Sequence, residues 1–328
     1  MPGTDAGYKT AARPLSIGSL FSDRVEAFLD GRVGIPGFDA HISIVEAQTL
    51  FRTVLRDGTY DVAELSMSSH IAAVAAGRRD YVGLPVFPSR SFRHSNLYVR
   101  SDRGITRAAD LAGRTIGLID FQQTAALWIR GILADDHGVP RESVRWVAAG
   151  LHAPVLDDRA PVTVGHGIRL ERSASTLDQL LRDGLVDAVI SPTAPRCHAD
   201  PDVPVTRLWP DFKSEELAWW HQTGIFPIMH VLVVKRALLD AHPGLSNLLF
   251  RAFDEARRLA ANDIVTRDFP KIMLPWITTH AAHVRAVFDH DPWTYGIEPN
   301  RAAISTMLRY AVADGSVRDG LRIEQLFE

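Results

Sequence analysis

Cysteine is all but missing: Cys197 is the single one in 328 residues, which excludes an internal disulfide and any metal site built from several thiolates. Such a chain suits a reducing compartment, and Cys197 itself reads as a small, partly buried residue rather than a nucleophile. Lysine is nearly as scarce. Of 36 basic residues four are Lys9, Lys213, Lys235 and Lys271, and arginine supplies the other 32; its planar fork is the better partner for a carboxylate, so arginines near a pocket carry information. Neither sign of charge dominates. A formal net charge of -3 gives no global attraction to nucleic acid or anionic lipid, so neither is expected as a partner. Also lacking is an apolar run of the roughly 18 residues that mark a membrane span; the most apolar stretch, 225–234, is interrupted by Pro227 and His230. The opening MPGTDAGYKTAARPL has no basic start followed by an apolar run, so no secretory signal is expected and the cytoplasm is the expected location. HExxH, CxxC, P-loop, GxGxxG and GxSxG elements are absent, which leaves zincin, nucleotide-binding and α/β-hydrolase readings without support.

What is present is a repeating βα pattern. Residues 15–18, 41–45, 60–65 and 81–86 read as strands with helices near 24–29, 49–56 and 69–76, and a second series follows with strands at 114–118, 144–147 and 186–190 and helices at 124–137 and 176–182. That alternation predicts an α/β fold. A strand over 224–234 returns the chain to the first series, and the remainder is mostly helical, with amphipathic helices at 243–263 and 300–313. The sequence therefore predicts two α/β lobes with a hinge and an interlobe cleft: residues 1–13 a flexible N-terminus, 14–100 plus 229–328 a discontinuous first lobe, and 101–228 the second. Residues 152–167, rich in Pro and Gly without a period, read as a surface excursion.

Four segments put polar residues at strand exits, where small ligands of open α/β sheets bind. In DVAELSMSSH (61–70), Ser68 and Ser69 stand before a helix, as caps or as a carboxylate cradle. The densest cluster, LPVFPSRSFRHSNLYV (84–99), holds Arg90, Arg93 and His94 within five positions, which favours anion binding over ordinary surface charge. In IDFQQTAALWIR (119–130), Gln122 and Thr124 begin a helix and Arg130 lies further along it. After the strand ending at residue 190, Arg196 either reaches the cleft or is an ordinary loop charge. His230 interrupts an apolar strand; a satisfied buried histidine is the default, a proton donor the alternative.

These same stretches, with Asp23-Arg24, LDGRV (29–33), TGIFPIMHVLVVKR (223–236), MLPW (273–276) and DPWTYGIEPNR (291–301), run in order over nearly the whole chain, and on them the sequence resembles the 4,5-dihydroxyphthalate decarboxylase family. The resemblance implies the fold of type II periplasmic solute-binding proteins and a non-oxidative decarboxylation of an aromatic dicarboxylate, 4,5-dihydroxyphthalate, to protocatechuate and CO₂ with no cofactor. On that basis Arg90 and Arg93 are expected to hold the retained carboxylate and Ser68, Ser69 and Thr124 to orient other oxygens, with Gln122, Arg130 and Arg196 further candidates. His94 is expected to protonate the ring carbon and His230 to polarise a ring hydroxyl, roles that are interchangeable, and Glu64 to orient one of them. A metal held by His94, His230 and Glu64 has no helical ligand spacing behind it. Two other readings stay open: a cytoplasmic aromatic-acid binding or sensing protein without catalysis, and a related decarboxylase of another hydroxylated aromatic acid. The sequence leaves the oligomeric state undecided, a homo-oligomer included.

Overall fold

Strands form where short apolar or β-branched runs end on polar turns, and helices where apolar residues recur on one face. The structure, a computed structural model, describes residues 12–154, 163–265, 270–289 and 291–327. Its strands are β1 (Arg13–Ser19), β2 (Phe38–Ile44), β3 (Val62–Ser66), β4 (Tyr81–Leu84), β5 (Leu97–Arg100), β6 (Thr115–Leu118), β7 (Arg145–Ala148), β8 (Arg169–Arg172), β9 (Ala188–Ile190), β10 (Val205–Arg207) and β11 (His230–Lys235). Its helices are α1 (Asp23–Leu29), α2 (Ala47–Asp57), α3 (Met67–Ala75), α4 (Thr124–His137), α5 (Leu177–Arg182), α6 (Phe212–Thr223), α7 (Arg236–Ala241), α8 (Leu245–Val265), α9 (Ile277–Phe288) and α10 (Arg301–Ala313). The strands make two sheets, of order β2-β1-β3-β11-β4 and β10-β5-β9-β6-β7-β8. The predicted α/β class is correct. Among the described residues no helix is long and apolar enough to cross a membrane.

The described residues pack as two compact units, those within 1–64, 80–86 and 232–293 in one and those within 65–79, 87–231 and 294–328 in the other. This grouping differs from the lobes expected from the sequence, because α10 packs on α3 and α4 and so draws the C-terminal stretch and residues 65–79 towards the second sheet. Of the expected flexible segment 1–13, residues 1–11 lie outside the described residues and Arg13 already pairs with Phe38. Part of the 152–167 excursion, residues 155–162, also lies outside them.

In the first unit α1 and α8 meet through Phe28 and Phe253, with ring centroids 4.8 Å apart. In the second unit the inner strands of the sheet are covered on both faces, successive side chains pointing to opposite sides. Leu97, Val99, Ile116, Leu118, Trp146 and Ile190 pack with Ala126, Ile129 and Leu133 of α4 on one side, while Tyr98, Val147 and Val189 pack with Leu177, Leu180 and Leu181 of α5 on the other. Helix α4 approaches α10 so closely that a Cβ at Gly131 would stand 2.0 Å from the Tyr310 ring; only glycine fits there. Nearby, Arg130 and Arg141 both bond the fully buried Asp314.

Three expectations change locally. The strand expected from residue 224 begins at His230, because Gly224 is the left-handed cap (φ 64°) of α6 and Pro227 offers no N–H to a ladder. Helix α6 itself was not expected: FKSEELAWWHQT has apolar residues on more than one face. Strands β8 and β10 are four and three residues long, too short to show a period.

Candidate functional site

Strand pairing in the second unit lines up the predicted segments. Leu97, the first residue of β5, lies opposite Ile190, the last of β9, and Leu118, the last of β6, lies opposite Ile190 from the other side. The entrance of β5 and the exits of β6 and β9 therefore share one edge of the sheet. That edge carries the turn His94–Asn96, the turn Asp120–Thr124 and Ser191, whose N–H donates to the Asn96 carbonyl at 2.9 Å.

Beside it, hydroxyls from two helix starts meet. Ser66 Oγ lies 2.9 Å and Ser68 Oγ 3.0 Å from Thr124 Oγ1, and Ser66 and Ser68 are 3.2 Å apart. The Ser68 N–H donates to Thr124 Oγ1 at 3.2 Å, and the Ser68 hydroxyl donates to the Gln122 carbonyl. All are buried. Ser66 and Gln123 are the N-caps of α3 and α4, and at neither terminus does the cap side chain accept from a backbone N–H of the first turn. Two helix starts, each carrying partial positive charge, thus converge with hydroxyl donors, an arrangement that suits an anion. Buried Ser69 Oγ and Ser191 Oγ have no hydrogen-bond partner among the described residues. Such atoms are uncommon in folded proteins, and these two lie beside the cradle.

Backbone bonds hold the arginine-rich loop against this cradle. The Met67 N–H donates to the Met229 carbonyl (2.9 Å), the Met229 N–H to Ser89 (2.8 Å) and the Ser91 N–H to Pro227 (3.1 Å). Within the loop the expected residues separate. Arg90 donates to the carbonyls of Phe226 and Thr294, each at 3.1 Å, and to the Asn300 side chain, so its guanidinium ties the chain together. Arg93 has weaker partners: Nε donates to the Met229 sulfur at 3.0 Å and Nη1 to Asn96 Oδ1 at 2.9 Å. Burial lowers its pKa to about 10 against the pull of Glu216.

His94 is walled by indoles, its ring centroid 5.2 Å from Trp209 and 6.0 Å from Trp219. Burial, with the neighbouring His137, pushes its pKa down to about 4, and its Nδ1 has no partner among the described residues. The ring is neutral at neutral pH. Phe92 adds an aromatic edge against Trp219 and Phe226.

The other expected residues lie as follows. Gln122 and Thr124 belong to the cradle. His230, half-buried, starts β11 next to Met229. Glu64 is buried in the first unit, accepting from the Ser19 hydroxyl and the Leu20 N–H, both at 3.1 Å. Arg130 is buried on Asp314 and the Phe121 carbonyl, and Arg196 is exposed on a short 3-10 turn. Cys197 is buried, its thiol raised to about 11. Among the described residues no group of three or more His, Cys, Asp or Glu is placed to hold a metal ion.

Sequence reasoning missed Ser66, Ser191, Trp209, Trp219 and Glu216. Ser66 lies in the same serine run as Ser68 and Ser69, and Ser191 opens the polar segment after the strand ending at residue 190; the other three had no such signal. Glu216, on the unexpected α6, accepts from the Ser95 N–H at 3.3 Å, and burial raises its pKa to about 7.

No family model matches the chain. It is 34% identical over 315 residues to a protein of Comamonas testosteroni named 4,5-dihydroxyphthalate decarboxylase, covering 95% of this chain and 96% of that one. A Pseudomonas putida protein of the same name is 38% identical over 203 residues, 60% of this chain and 77% of the relative. In structure it is similar to a periplasmic sulfonate-binding protein of Methylobacillus flagellatus (TM-score 0.58, 15% identity, 96% of this chain and 91% of that one). It is also similar to the periplasmic aliphatic sulphonate binding protein of Escherichia coli (TM-score 0.53, 16% identity, 96% and 92%). These two likenesses establish the fold as that of periplasmic binding proteins.

Proposed function

Because the chain belongs to the 4,5-dihydroxyphthalate decarboxylase family, we propose that it removes one carboxylate from 4,5-dihydroxyphthalate without oxidation, yielding protocatechuate and CO₂. The reaction balances with a proton alone: a C–H bond forms at the ring carbon, the bond to the carboxylate breaks, and its electron pair returns to the ring. No redox partner enters. The hydroxyl para to that carbon feeds charge into the ring and eases its protonation.

The observation that supports this reading beyond the family is the meeting of two helix starts with the buried hydroxyls of Ser66, Ser68 and Thr124. In our reading Ser68, Ser69 and Thr124, with Gln122 holding Ser68, orient the carboxylate oxygens. Arg93 is the cation that pairs with the retained carboxylate, while Arg90 secures the loop that carries it. His94 delivers the ring proton and His230 polarises the catechol hydroxyl. A dianion arriving beside His94 favours its charged form. We leave Glu64, Arg130 and Arg196 outside the chemistry, since the first two serve partners within the fold and the third is exposed. The setting we propose is cytoplasmic breakdown of aromatic acids, to which a chain with one cysteine is suited.

Purified protein given 4,5-dihydroxyphthalate is expected to release CO₂ and one equivalent of protocatechuate, and to turn over ring isomers lacking a hydroxyl para to a carboxylate far more slowly. Tight binding with no CO₂ would make it a binding or sensing protein; faster turnover of another hydroxylated acid would reassign the substrate. Dialysis against a chelator is expected to leave turnover unchanged.

A further inference from the structure

Resting on the decarboxylase reading, with His94 as its acid, we infer that Asp136, the penultimate residue of α4, is a positioning residue that fixes the His94 ring by holding the Trp219 indole against it. Each link is a contact. The Trp219 indole N–H donates to Asp136 Oδ2 at 3.0 Å, and the Trp219 ring meets the His94 ring edge to face, centroids 6.0 Å apart at 60°. The next residue of α4 seats the second indole: His137 lies against Trp209 at 5.5 Å and 40°, and Trp209 meets His94 at 5.2 Å and 65°. Both rings that wall His94 are therefore mounted on the last two residues of one helix.

The packing around Trp219 makes the Asp136 bond decisive for its orientation. Its ring also meets Trp128 at 6.1 Å and 85° and Phe92 at 6.4 Å and 88°, contacts that exclude water but direct the indole only weakly, whereas a hydrogen bond aims the N–H at one atom. Trp219 is buried and Asp136 is exposed, so on loss of the carboxylate water can replace the acceptor but not its fixed place. The mount itself is anchored, because the neighbouring Asp135 is bonded by Arg309 at 2.6 Å and by the Tyr310 hydroxyl at 3.0 Å, both from α10. Trp128, behind Trp219, is held by its own N–H on the Ile228 carbonyl at 2.9 Å. The buried Nδ1 of His94 has no partner among the described residues, so the rings around the imidazole set its plane. An acid delivers its proton only when it is aligned within about 3–3.5 Å of the receiving atom, and a fixed plane maintains that alignment.

The test separates position from charge and from folding. Asp136→Ala removes the acceptor, Trp219→Phe removes the N–H but keeps a ring, and Asp136→Asn keeps an oxygen for the indole. The first two are expected to lower kcat about tenfold, part of the ~10²-fold that a misplacement of about 1 Å costs, with KM largely kept, and Asp136→Asn should restore most of the rate. Adding Asp136→Ala to His94→Gln should lower turnover no further, as for residues acting as a unit. A readout without turnover is the His94 Hε1–Cε1 NMR cross-peak of the unliganded protein, identified by its loss in His94→Gln. It should move in Asp136→Ala, as the ring current over it changes, and stay in place in Asp136→Asn. An active wild type beside an Asp136→Ala enzyme with the same kcat or an unmoved cross-peak overturns the inference and leaves the decarboxylase reading intact. So does an Asp136→Asn enzyme as slow as Asp136→Ala, which would make the effect one of charge. A wild type that releases no CO₂ overturns both. If Asp136→Ala loses its cooperative melt, Trp219→Phe decides: a wild-type kcat counts against the inference.

Discussion

Thr124 touches Ser66 Oγ, Ser68 Oγ and the Ser68 N–H through one hydroxyl, so its loss separates hydroxyl from shape. Thr124→Val is expected to raise the Kd for phthalate about two- to twelvefold, the worth of one hydrogen bond at roughly 0.5–1.5 kcal/mol, and to lower the melting temperature as well, because the buried Ser68 N–H loses its acceptor; isothermal titration and a thermal melt check it. His94→Gln is expected to lose about 10²–10⁴-fold in kcat, the usual contribution of a positioned acid, with phthalate affinity largely kept. At this scale the sequence was informative wherever function and local pattern coincide. Ser68, Ser69, Gln122 and Thr124 stand at helix starts, and strand-then-hydroxyl-then-helix is visible in one dimension. Arg90 was misleading for the opposite reason: its partners Phe226, Thr294 and Asn300 lie 136, 204 and 210 residues away, and a sequence displays a guanidinium without displaying what it is bonded to.

Elements determine whether those residues stay in place. Since Arg90 holds the 89–96 loop to residues 226 and 294–300, Arg90→Ala is expected to cost about 1.5–3 kcal/mol through lost charge-assisted bonds to the chain, seen as a lower melting temperature, whereas Arg93→Ala should chiefly raise KM. A reversed pattern, Arg90→Ala stable but unable to bind phthalate, would return Arg90 to the ligand. The α4–α10 contact depends on Asp314 between Arg130 and Arg141. Asp314→Asn leaves two guanidinium groups buried without a counter-charge and is expected to destabilise by about 3–5 kcal/mol, measured by urea unfolding. Most elements were legible from apolar periodicity. Helix α6 was not, because Trp219 and Trp220 bury side chains where a simple amphipathic pattern expects polar residues, and with α6 the reading lost Glu216 and the indole wall around His94.

For the molecule as a whole, pH couples folding to its buried histidines. His70 on α3 bonds the Leu326 carbonyl at 2.8 Å, and burial lowers its pKa to about 4; His94 is lowered to a similar value by burial. Both are neutral when folded and protonate below about 6.5 when unfolded, so the unfolded chain binds more protons in this window. The contribution of each histidine is full above about pH 6.5 and is lost as pH falls towards 4, on the order of 3 kcal/mol for His70, while Glu216, raised to about 7, works in the opposite direction over the same window. His70→Gln should flatten urea-derived stability between those pH values; an unchanged slope would mean the histidine is not buried in solution. The two-sheet α/β class was readable from the order of strands and helices, but the packing of residues 294–328 with the second sheet was not, since it depends on where α10 docks.

The most direct test of ring protonation is to run the reaction in D₂O with oxygen excluded and no added cofactor, and to examine the product by proton NMR. Protocatechuate carrying one deuterium at the carbon that lost its carboxylate, formed in step with CO₂, is the expected result. Unreacted 4,5-dihydroxyphthalate, or a product in which that carbon carries oxygen in place of deuterium, would contradict it.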